Sequence, residues 1–260
     1  MIGGTLFGLV LSLKFIGWPL LLFWALKRRW RVVLAASLVI LWSYDLAVSL
    51  LGVDAVVGYY RSVTGNVSAL YQSHAFNFSP WTVGWRLFVG TGCSFLVALK
   101  APPLVEAPAL AAPSSVIVTA SVLGAFLYAA LRTRSEALAV MLVLLLSTLM
   151  SPIVWLHYFS WLLPPLALFV KSLISNGLPL RQTLAGAIIV SILALPGGTM
   201  MQLACWLSHD VSCVEPTVSF LVGLVTYVQP LAVLVLGVLL WFAGSDRRQA
   251  DGPLAMRSLH

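Results

Sequence analysis

Long runs of apolar residues, separated by short polar segments, dominate the pattern along the chain. A membrane-spanning helix needs about 20 such residues. Seven runs reach or approach that length: residues 3–26, 32–52, 114–131, 136–150, 153–170, 183–205 and 217–242. The shortest of them is 136–150. The pattern therefore predicts an all-α polytopic membrane protein with about seven transmembrane helices.

The basic residues fall mainly on one side of this predicted bundle. That side carries Lys27, Arg28, Arg29, Arg31, Arg132, Arg134, Lys171, Arg181, Arg247 and Arg248. The other side has Arg61, Arg86 and Lys100, so the positive-inside rule makes the first side cytoplasmic. The first run then begins outside, close to Met1, with no signal peptide before it. We expect the native reading frame to continue upstream with at least one more span.

The chain is predicted to have one transmembrane domain, residues 1–243, and a disordered cytoplasmic tail, residues 244–260. The domain includes one large extracytoplasmic loop at residues 53–113. Within this loop, residues 80–99 are apolar with interspersed glycines and Arg86. This composition predicts one or two helices that lie on the membrane surface.

The composition excludes an ordinary soluble domain. The chain is 60% hydrophobic and 9% charged, and its mean hydropathy is +0.99. The net charge of +7 is explained by the cytoplasmic basic residues, so no nucleic-acid partner is expected. The cysteines Cys93, Cys205 and Cys213 form no CxxC motif and have no metal-ligand spacing, so no metal and no cofactor is expected. Cys205 and Cys213 flank a short loop, and both a disulfide and two unpaired thiols remain open.

Lys14 is the most unusual single residue, because it lies in the middle of the first apolar run. A lysine at that depth costs about 3 kcal/mol on insertion scales, and such residues usually line a polar cavity. The alternative is that its amine snorkels to the outer surface. A cationic amine that faces a cavity suits an anionic ligand such as a phosphate, so Lys14 is a candidate binding residue.

The segment SPIVWLHY, residues 151–158, follows the short run 136–150. That run rises only about 22 Å, less than the roughly 30 Å of a hydrocarbon core, so the turn is expected at or below the outer membrane surface. An aromatic belt explains Trp155 and Tyr158 at this depth but does not explain His157. A recessed turn with indole and imidazole groups is equally well interpreted as the wall of a sugar site. Trp155, His157 and Tyr158 are therefore candidate substrate-binding residues.

The large loop holds a second polar and aromatic cluster that includes Asn77, Trp81 and Arg86. Arg86 suits a phosphate, although an interfacial anchor is an equally good interpretation. Acidic residues are few, and Asp54 is the one closest to this cluster. It is a weak candidate for a general base, because it also lies where a helix N-cap would.

Three segments together resemble glycosyltransferase family 87 (GT87, also called DUF2029). The first is GTLFGLVLSLKFIGWPLLLFWALKRRWR, which contains Lys14 and a basic end. The second runs from VDAVVGYYRSV to NFSPWTVGWRLF in the large loop. The third is LMSPIVWLHYFSWLLPPLALF, which contains the turn.

The resemblance implies a membrane glycosyltransferase of the GT-C fold. Such an enzyme takes a hexose, typically mannose, from a polyprenyl-phosphate donor and transfers it to a lipid or glycan acceptor outside the cytoplasm. It implies that Lys14 and Arg86 hold the donor phosphate and that Asn77, Trp155 and His157 line the sugar cavity. The family's catalytic acid lies in a loop before the Lys14 segment and has no counterpart in these residues. The expected location is the plasma membrane of a bacterium, in contact with membrane lipids.

A non-enzyme is the alternative from a different class. It would be a non-catalytic paralogue or fragment, or a transporter or assembly partner for lipid-linked sugars. A transporter is expected to show internal repeats with broken spans in paired positions. The sequence contains no such repeat, which favours the transferase.

Overall fold

The computed structural model describes residues 2–92, 99–154, 160–176, 180–195, 197–207 and 218–245. About 81% of it is helical and it has no strand within these ranges, so the all-α prediction is confirmed. The helices are α1 Ile2–Leu13, α2 Trp18–Leu26, α3 Trp30–Leu51, α4 Val53–Gly58, α5 Gly65–Tyr71, α6 Val83–Phe88, α7 Ala111–Arg132, α8 Glu136–Leu149, α9 Leu163–Asn176, α10 Leu180–Leu193, α11 Gly197–Leu207, α12 Phe220–Gly223 and α13 Val228–Ser245. A 3-10 turn, Phe15–Gly17, joins α1 to α2, and another, Leu224–Tyr227, joins α12 to α13.

The helices support a membrane protein, but the predicted count of seven spans is not confirmed. Within the described ranges, three helical segments are long and apolar enough to cross a bilayer: Trp30–Leu51, Pro108–Arg132 and Phe220–Phe242. A fourth span is possible if α1 and α2 are taken together. The predicted spans 136–150, 153–170 and 183–205 correspond instead to shorter apolar helices, Glu136–Leu149, Ser160–Lys171 and Thr183–Leu193.

The first predicted span, 3–26, is not one straight helix, and Lys14 does not lie inside a helix. The chain bends by 117° between α1 and α2, and Lys14 is extended at the break, with φ −154° and ψ 107°. Pro19 explains the break, since it lies in the first turn of α2. A proline in a continuous helix would clash with the carbonyl of the residue four positions earlier, here Phe15.

Helix α1 runs parallel to α3. A Cβ atom added to Gly4 would lie 2.8 Å from the Val32 carbonyl oxygen, and one added to Gly8 would lie 2.6 Å from that of Ala36. A step of four residues along α1 thus matches a step of four residues along α3 in the same direction. Ile2 lies at the same end of α3 as Arg29, contrary to the expectation that the first run begins at the outer end. With α2 turning back, α1 and α2 form a hairpin that enters and leaves at one end of the bundle.

Gly8→Ala should destabilise the protein by about 1–3 kcal/mol, because its methyl group meets the α3 backbone rather than a flexible side chain. Gly3→Ala is the matched control, since a Cβ atom there meets nothing within 4 Å. The measurement is thermal unfolding in detergent. Equal unfolding temperatures for the two variants would contradict the close α1–α3 packing.

Helix α8 forms the centre of the core. Leu142, Val143, Leu145 and Leu146 are essentially inaccessible, and the helix packs against α2, α7 and α13. A helix that is apolar on every side suits this central position. At its first residue, Glu136 is ion-paired with Arg29, 3.3 Å away. This pair fixes the start of α8 beside the end of α2, so α2 and α8 run antiparallel.

The large loop differs from its prediction. Residues 53–71 form a mostly exposed helical segment with a π-helical turn at Tyr59–Thr64. The predicted surface helices at 80–99 are not found in the described part of that segment. Residues 80–88 form a 3-10 turn and the short helix α6, and α6 packs against α7. Gly84 permits this contact, because a Cβ atom there would clash with the Ala111 carbonyl oxygen.

Candidate functional site

Two segments far apart in the sequence meet at the end of the bundle opposite Arg29. One is residues 77–82 of the large loop, and the other is the turn at residues 149–154. We call this contact the loop–turn clamp. The backbone N–H of Phe78 donates to the carbonyl of Val154 at 3.0 Å. Side chains of the loop supply the remaining hydrogen bonds between the two segments.

Asn77 is the centre of the clamp, with no accessible surface. Its Nδ2 donates to the carbonyl oxygens of Pro152, at 2.9 Å, and of Tyr71, at 3.1 Å. Its Oδ1 accepts from the backbone N–H of Val154, at 2.9 Å, and of Ser79, at 3.2 Å. The amide therefore uses both donor hydrogens and both acceptor positions within the protein. These contacts favour a positioning role, and direct contact with a substrate stays a prediction.

Ser79 and Trp81 reinforce the clamp. The Ser79 hydroxyl donates to the carbonyl oxygen of Ser151 at 2.6 Å. The Trp81 indole N–H donates to the carbonyl oxygen of Met150 at 3.4 Å. Side chains of the loop thus bind carbonyl groups that directly follow the C-terminal end of α8.

The clamp lies short of the N-terminal end of α7, measured along the bundle. The 22 residues of α7 rise about 33 Å and the 14 residues of α8 rise about 21 Å. The two helices are joined by a short connection at one end, so α8 stops about 12 Å short of the start of α7. The loop fills this recess. Irregular backbone that is buried away from water needs hydrogen-bond partners within the protein, which explains why Asn77 is fully paired.

Arg86 is buried beneath the clamp, with 4% of its surface exposed. Its Nη2 donates to the carbonyl oxygens of His74, at 3.2 Å, Asn77, at 3.1 Å, and Ala75. Its Nη1 donates to the Thr226 hydroxyl, and the guanidinium lies 4.1 Å from the centre of the Tyr227 ring. Burial lowers the pKa of Arg86. Among the described residues no carboxylate contacts Arg86, so carbonyl dipoles and an aromatic face stabilise its charge.

A small cavity adjoins Arg86. It holds about 10 Å³, close to the volume that one water needs, and is lined partly by Thr91, Gly223 and Tyr227. Arg86 and Tyr227 both line this cavity, and the Nε of Arg86 and the hydroxyl of Tyr227 are buried without a hydrogen-bond partner among the described residues. The space is too small for a sugar phosphate. Arg86 therefore holds the loop against α12 and α13, and its predicted contact with phosphate remains untested.

His74 packs beside Arg86 and is 3% exposed. Its Nδ1 accepts from the backbone N–H of Phe76 at 3.0 Å. Burial, with a smaller effect from the positive charge of Arg86, lowers the pKa of His74 to about 4. The imidazole is therefore neutral at pH 7.

Stability should fall as the pH drops from about 6.5 towards 4. In that window the unfolded chain protonates His74, whose usual pKa is about 6.5, while the folded protein does not. We expect a loss on the order of 2 kcal/mol near pH 4 relative to His74→Gln, which cannot take up this proton. Unfolding curves of both proteins at pH 7, 5.5 and 4.5 measure the difference. Parallel pH dependences would contradict the lowered pKa.

Lys14 lies towards the same end of the bundle as the clamp. The turn Phe15–Gly17 contacts α8. Because α2 and α8 are antiparallel and Arg29 reaches the first residue of α8, the beginning of α2 lies towards the last residues of α8. Lys14 is exposed at the break between α1 and α2. The structure thus places it on the side where the turn begins.

The other predicted site residues are Trp155, His157, Tyr158 and Asp54. Trp155, His157 and Tyr158 lie outside the described residues. They follow Val154, whose backbone is held by Asn77 and Phe78. Asp54 is exposed in the first turn of α4 and stays a weak candidate. Cys205 is disulfide-bonded, but Cys213 is outside the described residues, so their pairing stays a prediction.

Thr226, Tyr227 and His74 are site residues that the sequence did not indicate. Thr226 and Tyr227 lie more than 130 positions after Arg86, and nothing in their local pattern marks them as its partners. His74 is a polar residue of the large loop, and nothing in the composition of the loop predicts that it is buried.

The model of glycosyltransferase family 87 matches residues 1–152 of this chain. The match includes the Lys14 break, the loop segment 77–82, Arg86 and the first residues of the turn. No curated protein and no solved structure matches the chain.

Proposed function

Because the chain belongs to glycosyltransferase family 87, we propose that it transfers a hexose, specifically mannose, from a polyprenyl-phosphate donor to a lipid or glycan acceptor. The observation that carries this proposal is the loop–turn clamp. It joins two of the three segments in which the family resemblance was found. It also lies opposite the basic end that the positive-inside rule puts in the cytoplasm. Transfer would therefore take place at the outer face of a bacterial plasma membrane, in a multi-pass protein of GT-C type.

Lys14 is the proposed contact for the donor phosphate. Its ammonium lies at a break between two apolar helices, where a lipid-linked donor can approach laterally from the bilayer. Helix α2 begins four residues later, and the partial positive charge of its N-terminus also favours an anion. Lysine residues within apolar membrane segments commonly belong to ligand pathways.

The turn is the proposed sugar wall. Asn77 holds the backbone of the turn up to Val154, and Trp155, His157 and Tyr158 follow directly. An indole offers a flat face for a sugar ring, and an imidazole and a phenol offer hydrogen bonds to its hydroxyl groups. In this proposal Asn77 and Arg86 position the turn and the loop, and they act through the backbone.

Lys14→Gln tests the donor assignment. The change removes the charge while keeping a long polar side chain, so kcat/KM for the donor should fall about tenfold to a hundredfold, as expected for a lost charge-assisted hydrogen bond. Lys27→Gln is the control, because Lys27 lies at the basic end of α2, with its amine over the Phe23 ring. The assay measures mannose transfer by the native protein in proteoliposomes from polyprenyl-phosphate mannose and, separately, from nucleotide-linked mannose.

We expect wild type and Lys27→Gln to transfer mannose from the lipid-linked donor only. We expect Lys14→Gln to lose most of this transfer. Transfer from the nucleotide-linked donor alone would contradict the donor class. Binding of the lipid-linked donor without transfer to any acceptor would instead favour the non-catalytic alternative.

A further inference from the structure

A second cavity lies at the basic end of the bundle, far from the clamp. It has a volume of about 310 Å³, at the lower limit of ligand pockets, between α7, α8 and α13. Its lining is apolar and includes Phe126, Ala129, Leu142, Gly237 and Trp241.

The cavity opens onto a surface that a bilayer would cover. Val238 and Phe242 at its edge are 53% and 54% exposed, and both belong to the apolar segment Phe220–Phe242. The cavity lies at the same distance from the C-terminal ends of α7 and α13, because Tyr128 and Trp241 each lie four residues before the last residue of their helix. The opening is thus about one helical turn from the basic surface, at the level where acyl chains meet headgroups.

A cation lies at the edge of this cavity. The Arg132 guanidinium lies 5.3 Å from the centre of the Tyr128 ring, and that ring stacks on Trp241 with centroids 6.5 Å apart. The edge of the cavity thus combines a guanidinium group with an apolar pocket.

We propose that this cavity is a binding site for an anionic phospholipid of the cytoplasmic leaflet. An acyl chain occupies the pocket between α7, α8 and α13, and the phosphate lies at Arg132. Charge complementarity at the rim selects the headgroup, while the pocket excludes water from the chain. The site is independent of the proposed transferase activity and lies at the opposite end of the bundle.

Native mass spectrometry of the purified protein, with added phosphatidylglycerol or phosphatidylcholine of equal chain length, tests the proposal. Wild type should retain phosphatidylglycerol with an affinity at least about tenfold higher than that for phosphatidylcholine. Arg132→Gln should reduce this preference to near equality, and Ala129→Leu should remove binding of both lipids by filling the pocket. Arg31→Gln, at the basic end of α3, and Ala120→Leu, on the exposed face of α7, are the matched controls and should behave as wild type.

Equal retention of the two lipids by wild type would overturn the proposal, because it would indicate only non-specific surrounding lipid. Retention by Ala129→Leu at the wild-type level would overturn it as well. If Ala129→Leu does not fold, Arg132→Gln decides the matter alone, since Arg132 is exposed and its replacement leaves the core intact. A preference unchanged in Arg132→Gln would then reject the site.

Discussion

Asn77→Asp should lower the free energy of unfolding by about 3 kcal/mol or more and remove most of the transfer activity. Aspartate has the shape of asparagine and keeps an oxygen that can accept from Ser79 and Val154. It replaces the Nδ2 group, however, with a second oxygen. The carbonyl oxygens of Pro152 and Tyr71 would lose their donor and face an acceptor. Each buried group left without a partner costs about 1–3 kcal/mol, and a buried carboxylate adds to that cost.

The matched control is Asn66→Asp. The loop contains two similar segments, Asn-Val-Ser at residues 66–68 and Asn-Phe-Ser at residues 77–79. Asn66 begins the first segment and is exposed on α5. Its substitution should leave the unfolding temperature and the transfer rate nearly unchanged. Thermal unfolding in detergent and transfer in proteoliposomes measure the two effects. A well-folded, fully active Asn77→Asp protein would show that the clamp positions nothing that catalysis needs.

The general architecture was predictable because it depends on composition. Long uncharged runs predict apolar helices wherever they occur, and α3, α7 and α13 agree with the predicted runs within a few residues of each end, apart from the start of the last run, 217–242. The short helix α8 was also predictable, because its apolar run is shorter than the others. These properties are local, so a single window of the sequence contains them.

The contacts between distant segments were not predictable in the same way. The sequence marked Asn77 and the turn 151–158 as two separate candidate sites. It did not show that Asn77 binds the backbone of Val154, 77 positions later, because backbone acceptors carry no side-chain signal. For the same reason Arg86 suited a phosphate from its residue type alone, whereas in the fold carbonyl groups surround it.

The bend at Lys14 was predictable only in part. Pro19 was visible in the sequence, and a proline ends or kinks a helix close to its own position. Hydropathy alone favoured one straight span, because the apolar run continues through the break. The small residues Gly4 and Gly8 allow α1 to pack along α3, and this close contact stabilises a hairpin that the run length did not indicate.

His157→Phe should reduce mannose transfer about tenfold to a hundredfold while leaving insertion and folding intact. Phenylalanine suits the membrane interface, so the substitution would be nearly neutral if the turn were only an aromatic belt. If His157 contacts the sugar or its phosphate, the change removes a hydrogen-bonding group from a partly desolvated site. A loss of that kind costs roughly 1–3 kcal/mol, which gives the expected factor.

The most direct test of the proposed site is therefore the initial rate of mannose transfer from polyprenyl-phosphate mannose by wild type, His157→Phe and Tyr158→Phe. The last variant keeps its ring and loses only a hydroxyl. All three are measured at equal amounts of protein with equal unfolding temperatures. We predict that His157→Phe loses most of the activity and that Tyr158→Phe keeps most of it. A wild-type rate in a well-folded His157→Phe protein would contradict the assignment of the turn to the sugar site.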